Sequence, residues 1–274
     1  MGLLAAKLTL APVFIVGASL VARRFGPRIG GVVAGLPVVA GPILLVYALA
    51  HGRAFASGAA AGTLLGLLSL TAFLVVYSRV GAYASWPISL LAGWLTFALA
   101  TAVLSMFSIA VGAALALAAV GVVVGLVALP HPSRSGLPYA PPSWDLPLRA
   151  ACAAALVVTL SAVSGWLGPH LSGLLTPFPI VAAVLATFTH AQRGVDDVRR
   201  MSRGMVAGLC AFALFCFTLA VALRTLDIAT SYALATLVAL TTQALMLGLV
   251  YLRSSDHQPL LAQTGGSVER KPIS

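Results

Sequence analysis

Charged side chains are scarce in this chain of 274 residues. Lys, Arg, Asp and Glu make up 8% of it, whereas hydrophobic residues make up 60%, and the mean hydropathy is +1.04. A soluble globular protein is typically about 25% charged. The chain therefore has too few polar residues to cover a water-soluble particle. This composition excludes a soluble domain and predicts an all-α polytopic membrane protein.

Acidic residues are the rarest of the charged types. There are six, and we expect all of them to lie in loops or in the tail: Asp145, Asp196, Asp197, Asp227, Asp256 and Glu269. Carriers that are driven by protons or sodium commonly hold a carboxylate inside the membrane. Since no predicted span contains one, the sequence favours a neutral, anionic or amphipathic solute over a metal cation. It predicts neither a metal site nor a cofactor.

Cysteines and catalytic motifs are also few. The three cysteines lie in apolar segments, and their odd number predicts small buried side chains rather than a disulfide framework or metal ligands. The signatures HExxH and GxSxG and the P-loop motif are missing. The sequence therefore predicts a protein that is not an enzyme.

The net charge of +10 does not indicate nucleic-acid binding, because the basic residues form no stripe or recognition helix. They lie in short connections between apolar segments. A helical span needs about 20 mostly apolar residues, and this rule predicts nine spans at 3–22, 29–50, 56–77, 87–104, 109–129, 148–167, 171–189, 204–223 and 228–252.

The distribution of basic residues predicts the orientation of these spans. With nine spans, one side of the membrane carries 13 of the 16 Lys and Arg residues, and the other carries only Lys7, Arg53 and Arg224. Positive residues stay in the cytoplasm. We therefore predict a multi-pass membrane protein with the N-terminus outside and the C-terminus in the cytoplasm.

An internal repeat organises the chain. The segment GPRIGGVVAGLPVVAGPILLVYALAHG, residues 26–52, returns 142 positions later as GPHLSGLLTPFPIVAAVLATFTHAQRG, residues 168–194. At this offset the first four spans match the sixth to ninth, and the fifth has no counterpart. Five spans, an odd number, separate the two starts, so the second unit should be inserted upside down. The sequence thus predicts a 4+1+4 inverted repeat, a recurrent plan of secondary transporters.

This repeat divides the chain into four parts. Residues 1–106 form the first four-helix repeat, and residues 107–147 form a connector helix with a cytoplasmic Pro-rich linker. Residues 148–252 form the second, inverted repeat, and residues 253–274 are predicted to be a disordered cytoplasmic tail.

Prolines and glycines interrupt the second and seventh spans at matching places. A proline inside a helix removes a hydrogen bond and clashes with the carbonyl one turn back, so both spans should kink or unwind near mid-depth. Backbone groups freed there must be buried in protein or face a water-filled cavity. One hypothesis is that the two broken helices cross and line a substrate site, and the other is that both are packing kinks. The predicted lining is Gly35, Pro37, Gly41, Thr176, Pro177 and Pro179, with Gln243 nearby.

Three further polar residues have two interpretations each. Lys7 and Arg149 are repeat equivalents near the starts of the first and sixth spans. They either attract an anion to the two mouths of the protein or extend to the lipid headgroups, as long basic side chains do at helix ends. Gln243, inside the ninth span, either joins helices by a hydrogen bond or lines the transport path.

The segment LSGLLTPFPIVAAVLATFTHAQRGVDDVRRMSRGMVAG, residues 171–208, resembles the GlpM-like small bacterial membrane proteins. In these an apolar Gly-Leu-x-x-x-Phe-Pro segment precedes a glycine and a basic loop. The likeness recurs faintly at residues 29–66, where Leu36-Pro37 stands in place of Phe178-Pro179. The resemblance implies that this chain is a duplicated and fused version of such a unit. One member of that family has been linked to exopolysaccharide production, and the resemblance implies a place in the bacterial cytoplasmic (inner) membrane.

Together these patterns favour a secondary transporter or exporter that works by alternating access at the crossing of two broken helices. The alternative is a membrane scaffold that supports envelope polysaccharide or lipid biosynthesis and transports nothing. The expected partners are the lipid bilayer, a small-molecule solute and a second copy of the chain in a possible homodimer, with no nucleic acid.

Overall fold

The computed structural model describes residues 2–107, 109–132, 141–163 and 174–255, and it describes only the backbone before residue 12, from 157 to 163 and from 250 on. Within this part the chain is helical, with turns and no strands. The helices are α1 (Gly2–Phe25), α2 (Pro27–Ala34), α3 (Ala40–His51), α4 (Arg53–Val80), α5 (Trp86–Ser105), α6 (Val111–Ala128), α7 (Asp145–Val163), α8 (Ile180–Arg193), α9 (Val195–Ala222) and α10 (Ile228–Ser255).

Five of the helices are long and apolar enough to cross a membrane: α4, α5, α6, α9 and residues 228–249 of α10. The longest, α4, α9 and α10, have 28 residues each. At 1.5 Å per residue each is about 42 Å long, which exceeds a hydrocarbon core of about 30 Å. The all-α architecture is thus confirmed for the described residues, and these five helices are suited to a membrane-embedded protein. This count covers only the described residues, and the nine-span topology stays a prediction.

Helices α4 and α9 form the centre of the molecule. In their most apolar windows 72% and 67% of residues are buried, against 22% in α5 and in α6 and 17% in α10. The outer helices expose large apolar side chains such as Leu99, Val127 and Leu237. Because exposed apolar surface of this extent is suited to lipid, the burial pattern indicates a two-helix core within a lipid-facing ring.

The two central helices run antiparallel. Near the start of α4, the Ser57 hydroxyl donates to the carbonyl of Ala220, near the end of α9, at 2.6 Å. Near the end of α4, the hydroxyl of Ser78 bonds to that of Ser202, near the start of α9, at 3.1 Å. Both pairs are buried, so each stabilises the crossing by satisfying a hydroxyl away from water.

The predicted interruption of the second span is confirmed. Helix α2 ends at Ala34 and α3 begins at Ala40, with no helix at residues 35–39. The Pro37 carbonyl starts the new helix by accepting the Gly41 N–H at 2.7 Å. Proline has no N–H to continue a helix and clashes with the carbonyl one turn back, which accounts for the break at this position.

The corresponding stretch of the second half is also interrupted. Residues 176–179 are not helical, and α8 begins at Ile180. At Pro179, φ is −74° and ψ is 46°, so the Ile180 N–H reaches the Phe178 carbonyl at 2.7 Å. This is the geometry of an inverse γ-turn. The break predicted at Pro177 and Pro179 is therefore present, although residues 164–173 of the seventh span lie outside the described part.

A glycine joins each half-helix to the long helix that follows. Gly52 links α3 to α4 with φ 86° and ψ 170°, and Gly194 links α8 to α9 with φ 83° and ψ 176°. Side chains rarely tolerate such positive φ values, whereas glycine adopts them at no steric cost. These two glycines are 142 positions apart and have nearly the same backbone conformation.

The prediction that all acidic residues lie in loops or in the tail is wrong for three of them. Asp145 lies in the first turn of α7, and Asp196 and Asp197 lie in the first turn of α9. Carboxylates are stabilised there because the helix dipole is positive at its N-terminus. The apolar segments alone placed both helix starts too late in the chain. Asp227 does lie just before α10, whereas Asp256 and Glu269 are outside the described residues.

Candidate functional site

The first helix break is packed directly on the backbone of α9. A Cβ atom at Gly35 would lie 2.8 Å from the Gly208 backbone and 2.9 Å from the carbonyl oxygen of Met205. A Cβ atom at Gly208 would in turn fall within 3.0 Å of the Val32 carbonyl oxygen. Real Cβ atoms do not approach so closely. Both positions therefore require glycine so that α2 and the break can lie against α9.

The second break makes the equivalent contact with α4. A Cβ atom at Gly66 would lie 2.5 Å from the carbonyl oxygen of Leu174 and 2.6 Å from the Pro177 ring. At the offset of 142, Gly66 corresponds to Gly208, Leu174 to Val32 and Pro177 to Gly35. Each break thus packs on the long helix of the other half of the chain, at the same pair of positions.

Gln243 lies beside the first break. Its side chain is 3% exposed, and its amide nitrogen donates to the Val32 carbonyl, which also accepts the Gly35 N–H at 3.2 Å. The amide oxygen of Gln243 is buried and has no hydrogen-bond partner within the described residues. A buried amide oxygen without a partner is costly, so a polar acceptor site is present next to the break.

The predicted lining residues fall into two groups. Gly35, Pro37 and Gly41 are buried; Gly35 packs on α9, and Gly41 lies near the ring of Phe215. Thr176 is half-buried, and Pro177 and Pro179 are buried, with Pro177 against Gly66 of α4. A common cavity between the two groups, at a crossing of the second and seventh spans, stays a prediction.

The second group is held against α5 by aromatic rings. The ring of Phe178, between the two prolines, lies 5.2 Å from that of Phe97, edge to face, and 6.5 Å from that of Trp94. Such pairs stabilise by about 0.5–1.5 kcal/mol beyond the area that they bury. The second break is therefore fixed on two sides, by the glycine face of α4 and by the aromatic side chains of α5.

A charged cleft lies at one end of α1, α2, α7 and α8. At its centre the Asp145 carboxylate, 1% exposed, accepts hydrogen bonds from Arg23 at 2.6 Å, from Arg149 at 2.8 Å and from Gln192 at 2.7 Å. This network joins three helices through one acidic residue. The hydroxyl of Ser19, 3% exposed, also lies in the lining and has no partner within the described residues.

The charges of the cleft are strongly coupled. Burial by itself would raise the pKa of Asp145, but the hydrogen bonds from Arg149, Arg23 and Gln192 outweigh it and hold this pKa below its ordinary value. The Arg149 guanidinium also lies 5.0 Å from the centre of the Phe188 ring, a cation–π arrangement. The carboxylate therefore stays ionised at neutral pH.

Sequence reasoning named Arg149 as a mouth charge but missed Asp145. The structure places Arg149 in the buried ion pair, at 6% exposed. A usable signal was the spacing of Asp145 and Arg149, which is i,i+4 at the start of a helix and brings such a pair together. Lys7, the predicted counterpart at the other mouth, lies in α1 where only the backbone is described.

Comparisons with protein-family models, with curated proteins and with solved structures give no match to this chain. No relative therefore supplies a function, and the resemblance to GlpM-like proteins stays a hypothesis. The function has to be argued from the two helix breaks and the charged cleft.

Proposed function

We propose that this chain is a membrane transport protein that consists of two inverted four-helix units joined by a connector helix, α6. The observation that carries this proposal is the duplicated contact of the helix breaks. The Val32 carbonyl oxygen packs against Gly208, and the Leu174 carbonyl oxygen packs against Gly66, at positions related by 142 residues. A contact that occurs twice with the two units exchanged is what a two-fold relation between them produces.

The antiparallel core supports inversion rather than simple duplication. Helices α4 and α9 are equivalent in the repeat, and the bonds from Ser57 to Ala220 and from Ser78 to Ser202 make them antiparallel. Equivalent helices that run in opposite directions across a bilayer belong to units of opposite orientation. This is the inverted repeat of many secondary transporters, in which broken helices lie at a midplane site.

Contacts between helix ends agree with the way in which the predicted topology groups residues on the two sides of the membrane. Arg53 donates to the Leu226 carbonyl at 2.8 Å, and the topology assigns both residues to the outside. Arg79 donates to the carbonyl of Ala128, the last residue of α6, and Arg203 donates to that of the next residue, Leu129, each at 2.9 Å. The topology assigns all four residues to the cytoplasm. Each contact thus joins residues on the same predicted side.

The breaks supply a reason for transport. Backbone polar groups that leave a helix inside a membrane must be buried in protein or face a polar cavity. The amide oxygen of Gln243 beside the first break, which has no partner in the described part of the chain, adds a side-chain group that a solute can engage. We therefore assign the solute path to the region between the two breaks, for a neutral, anionic or amphipathic solute, in a bacterial inner membrane.

One observation favours the alternative, a membrane scaffold for envelope biosynthesis. Both breaks are packed so tightly that neither Gly35 nor Gly66 has room for a methyl group. A scaffold needs only such packing, whereas a carrier needs water to reach the same segments. Water access to the breaks therefore discriminates between the two functions.

Cysteine accessibility measures this directly. After Cys152, Cys210 and Cys216 are replaced by alanine, single cysteines are introduced by Leu36→Cys, Val38→Cys, Thr176→Cys or Phe178→Cys, at half-buried positions. Membrane-impermeant maleimides are then applied to right-side-out and inside-out vesicles. Exposed Thr225→Cys and Tyr83→Cys serve as the outer and inner positive controls, and Leu44→Cys, at 0% exposed, serves as the protected control.

If the protein is a transporter, the four introduced cysteines should react from either side. A change of conditions that increases labelling from one side should decrease labelling from the other. Protection of all four from both sides, at the level of Leu44→Cys, overturns the transport proposal and supports the scaffold. If Thr225→Cys and Tyr83→Cys react from the same side, the nine-span topology is wrong.

A further inference from the structure

We propose that the charged cleft binds a single oxyanion group, a phosphate or carboxylate, at the predicted cytoplasmic end of the protein. The cleft lies between the end of α1 and the start of α7, away from the helix breaks. Binding there does not depend on transport, so this inference stands or falls separately from the function proposed above.

The charges of the cleft favour an anion. Among the described residues its lining contains Arg23, Arg149 and Arg193 but only one carboxylate, that of Asp145. Arg193 is paired with Asp197 on α9, which itself also binds Arg200. Asp145 is shared between two guanidinium groups. Arg23 and Arg149 together therefore carry one more positive charge than the Asp145 carboxylate neutralises.

Arg23 is the group best placed to supply that charge to a ligand. It uses one nitrogen to bind Asp145, at 2.6 Å, and its side chain is 28% exposed, whereas a guanidinium has five N–H donors in a planar fork. The fork of an arginine matches the oxygens of a phosphate or carboxylate. Asp145 holds this guanidinium in place and so presents its remaining donors to the cleft.

Ser19 is the second, independent feature. Its hydroxyl is buried without a hydrogen-bond partner in the described part of the chain, one turn before Arg23 on the same face of α1. A buried hydroxyl without a partner is unfavourable, and its presence is explained if a ligand oxygen accepts a hydrogen bond from it. Residues four apart on a helix are neighbours, so Ser19 and Arg23 can address one anion together.

The space suits a small group. The free volume of the cleft is about 40 Å³, and a water molecule needs roughly 10–15 Å³ measured in this way. It therefore holds about three water-sized groups, which is the scale of a phosphate or carboxylate head and not of a whole metabolite. The anion is either a free ion from the cytoplasm or the headgroup of an anionic lipid, because both present the same oxygens.

The test uses the purified full-length protein with two probes. Inorganic phosphate is titrated against protein in a neutral detergent. Separately, protein in nanodiscs of phosphatidylcholine is titrated with phosphatidylglycerol. Binding is followed by thermal stabilisation and by native mass spectrometry. Saturation by phosphate indicates a soluble anion, and saturation by phosphatidylglycerol alone indicates a lipid headgroup.

Three variants locate the site. Ser19→Ala removes a hydroxyl that stabilises nothing within the described structure, so folding should be preserved while anion affinity falls about tenfold, as for a lost hydrogen bond to a charged group. Arg23→Gln should weaken binding by at least about tenfold for the same reason. Arg24→Gln is the matched control, since Arg24 is exposed and lies near the Phe25 ring, and should leave the affinity within about twofold.

Two results overturn the proposal. The first is the lack of saturable binding of either probe to the folded wild-type protein. The second is binding that Ser19→Ala leaves unchanged, or that Arg24→Gln weakens as much as Arg23→Gln does, because the anion would then be attracted by the general positive charge of this face.

Discussion

The close approach of the first break to α9 can be tested with one methyl group, by Gly208→Ala. The added Cβ atom would fall within 3.0 Å of the Val32 carbonyl oxygen and 3.1 Å from the Gly35 Cα atom. Both are backbone atoms, so no side chain can rotate away and α2 itself must move. Overpacking of this kind costs about 1–3 kcal/mol, and we expect the upper end because the obstacle is rigid.

The gain in helix propensity has to be subtracted. Alanine is better than glycine in a helix interior by about 1 kcal/mol, which leaves a net loss of about 2 kcal/mol. Gly58→Ala is the matched control, since Gly58 lies in α4, is exposed and has no atom within 4 Å of the position that a Cβ would take. It should gain the propensity term alone, so the two variants should differ by about 3 kcal/mol.

The assay is thermal unfolding in detergent, followed by tryptophan fluorescence. For a domain of this size about 1 kcal/mol shifts Tm by 2–4 °C. Gly208→Ala should therefore lower Tm by about 4–8 °C, and Gly58→Ala should raise it by about 2–4 °C. Gly66→Ala, the repeat equivalent, should behave like Gly208→Ala. If either variant instead matches Gly58→Ala, the close packing of that break is refuted.

Three more changes test the polar contacts. Asp145→Asn leaves two arginines without a carboxylate and should cost about 3 kcal/mol. Because the pKa of Asp145 is lowered, its contribution to stability is present above the ordinary pKa and disappears as pH falls through the lowered pKa. In a series of Tm against pH, the wild type should therefore lose this contribution at acid pH, and Asp145→Asn should show no such loss. Ser57→Ala should cost about 1 kcal/mol in thermal unfolding, whereas Ser105→Ala, a control that removes a solvent-exposed hydrogen bond, should cost less. The Thr101 hydroxyl donates to the buried Ser69 hydroxyl at 2.9 Å. Thr101→Val removes this partner and should lower the free energy of unfolding by about 1–3 kcal/mol. Adding Ser69→Ala should recover part of that loss, and a further additive loss would contradict the pairing.

The helix breaks were predictable because their cause is local. Pro37 and Pro179 lack an amide hydrogen wherever they lie, and each stands close to a further proline or to glycines, so the sequence marks a break there. A single proline such as Pro12 does not interrupt α1. The positive φ at Gly52 and Gly194 was not predicted, although the repeat places these two glycines at equivalent positions. Membrane class was predictable for a similar reason, because it depends on composition.

The cleft was not predictable because its cause is distant in sequence. Asp145 meets Arg23 across 122 residues and Gln192 across 47, and no periodicity encodes such pairs. The rule that a span needs about 20 mostly apolar residues also begins the sixth span at residue 148, after Asp145. The helix starts earlier, where a carboxylate is favoured by the helix dipole, so the rule that predicted this span left Asp145 outside it.

The two halves of the chain share a framework but not a chemistry. The glycines that receive a carbonyl from the opposite half, Gly66 and Gly208, are the same residue in both copies because the contact needs the absence of a side chain twice. The polar positions differ: Gln243 stands where the first half has Thr101, and Asp145 stands where it has Leu3. In the proposed inverted repeat, these differences make the two ends chemically unlike. In the proposed transporter, a solute or lipid that interacts with those groups would therefore meet a different set of side chains at each end, whereas the shared glycines set the packing of the breaks.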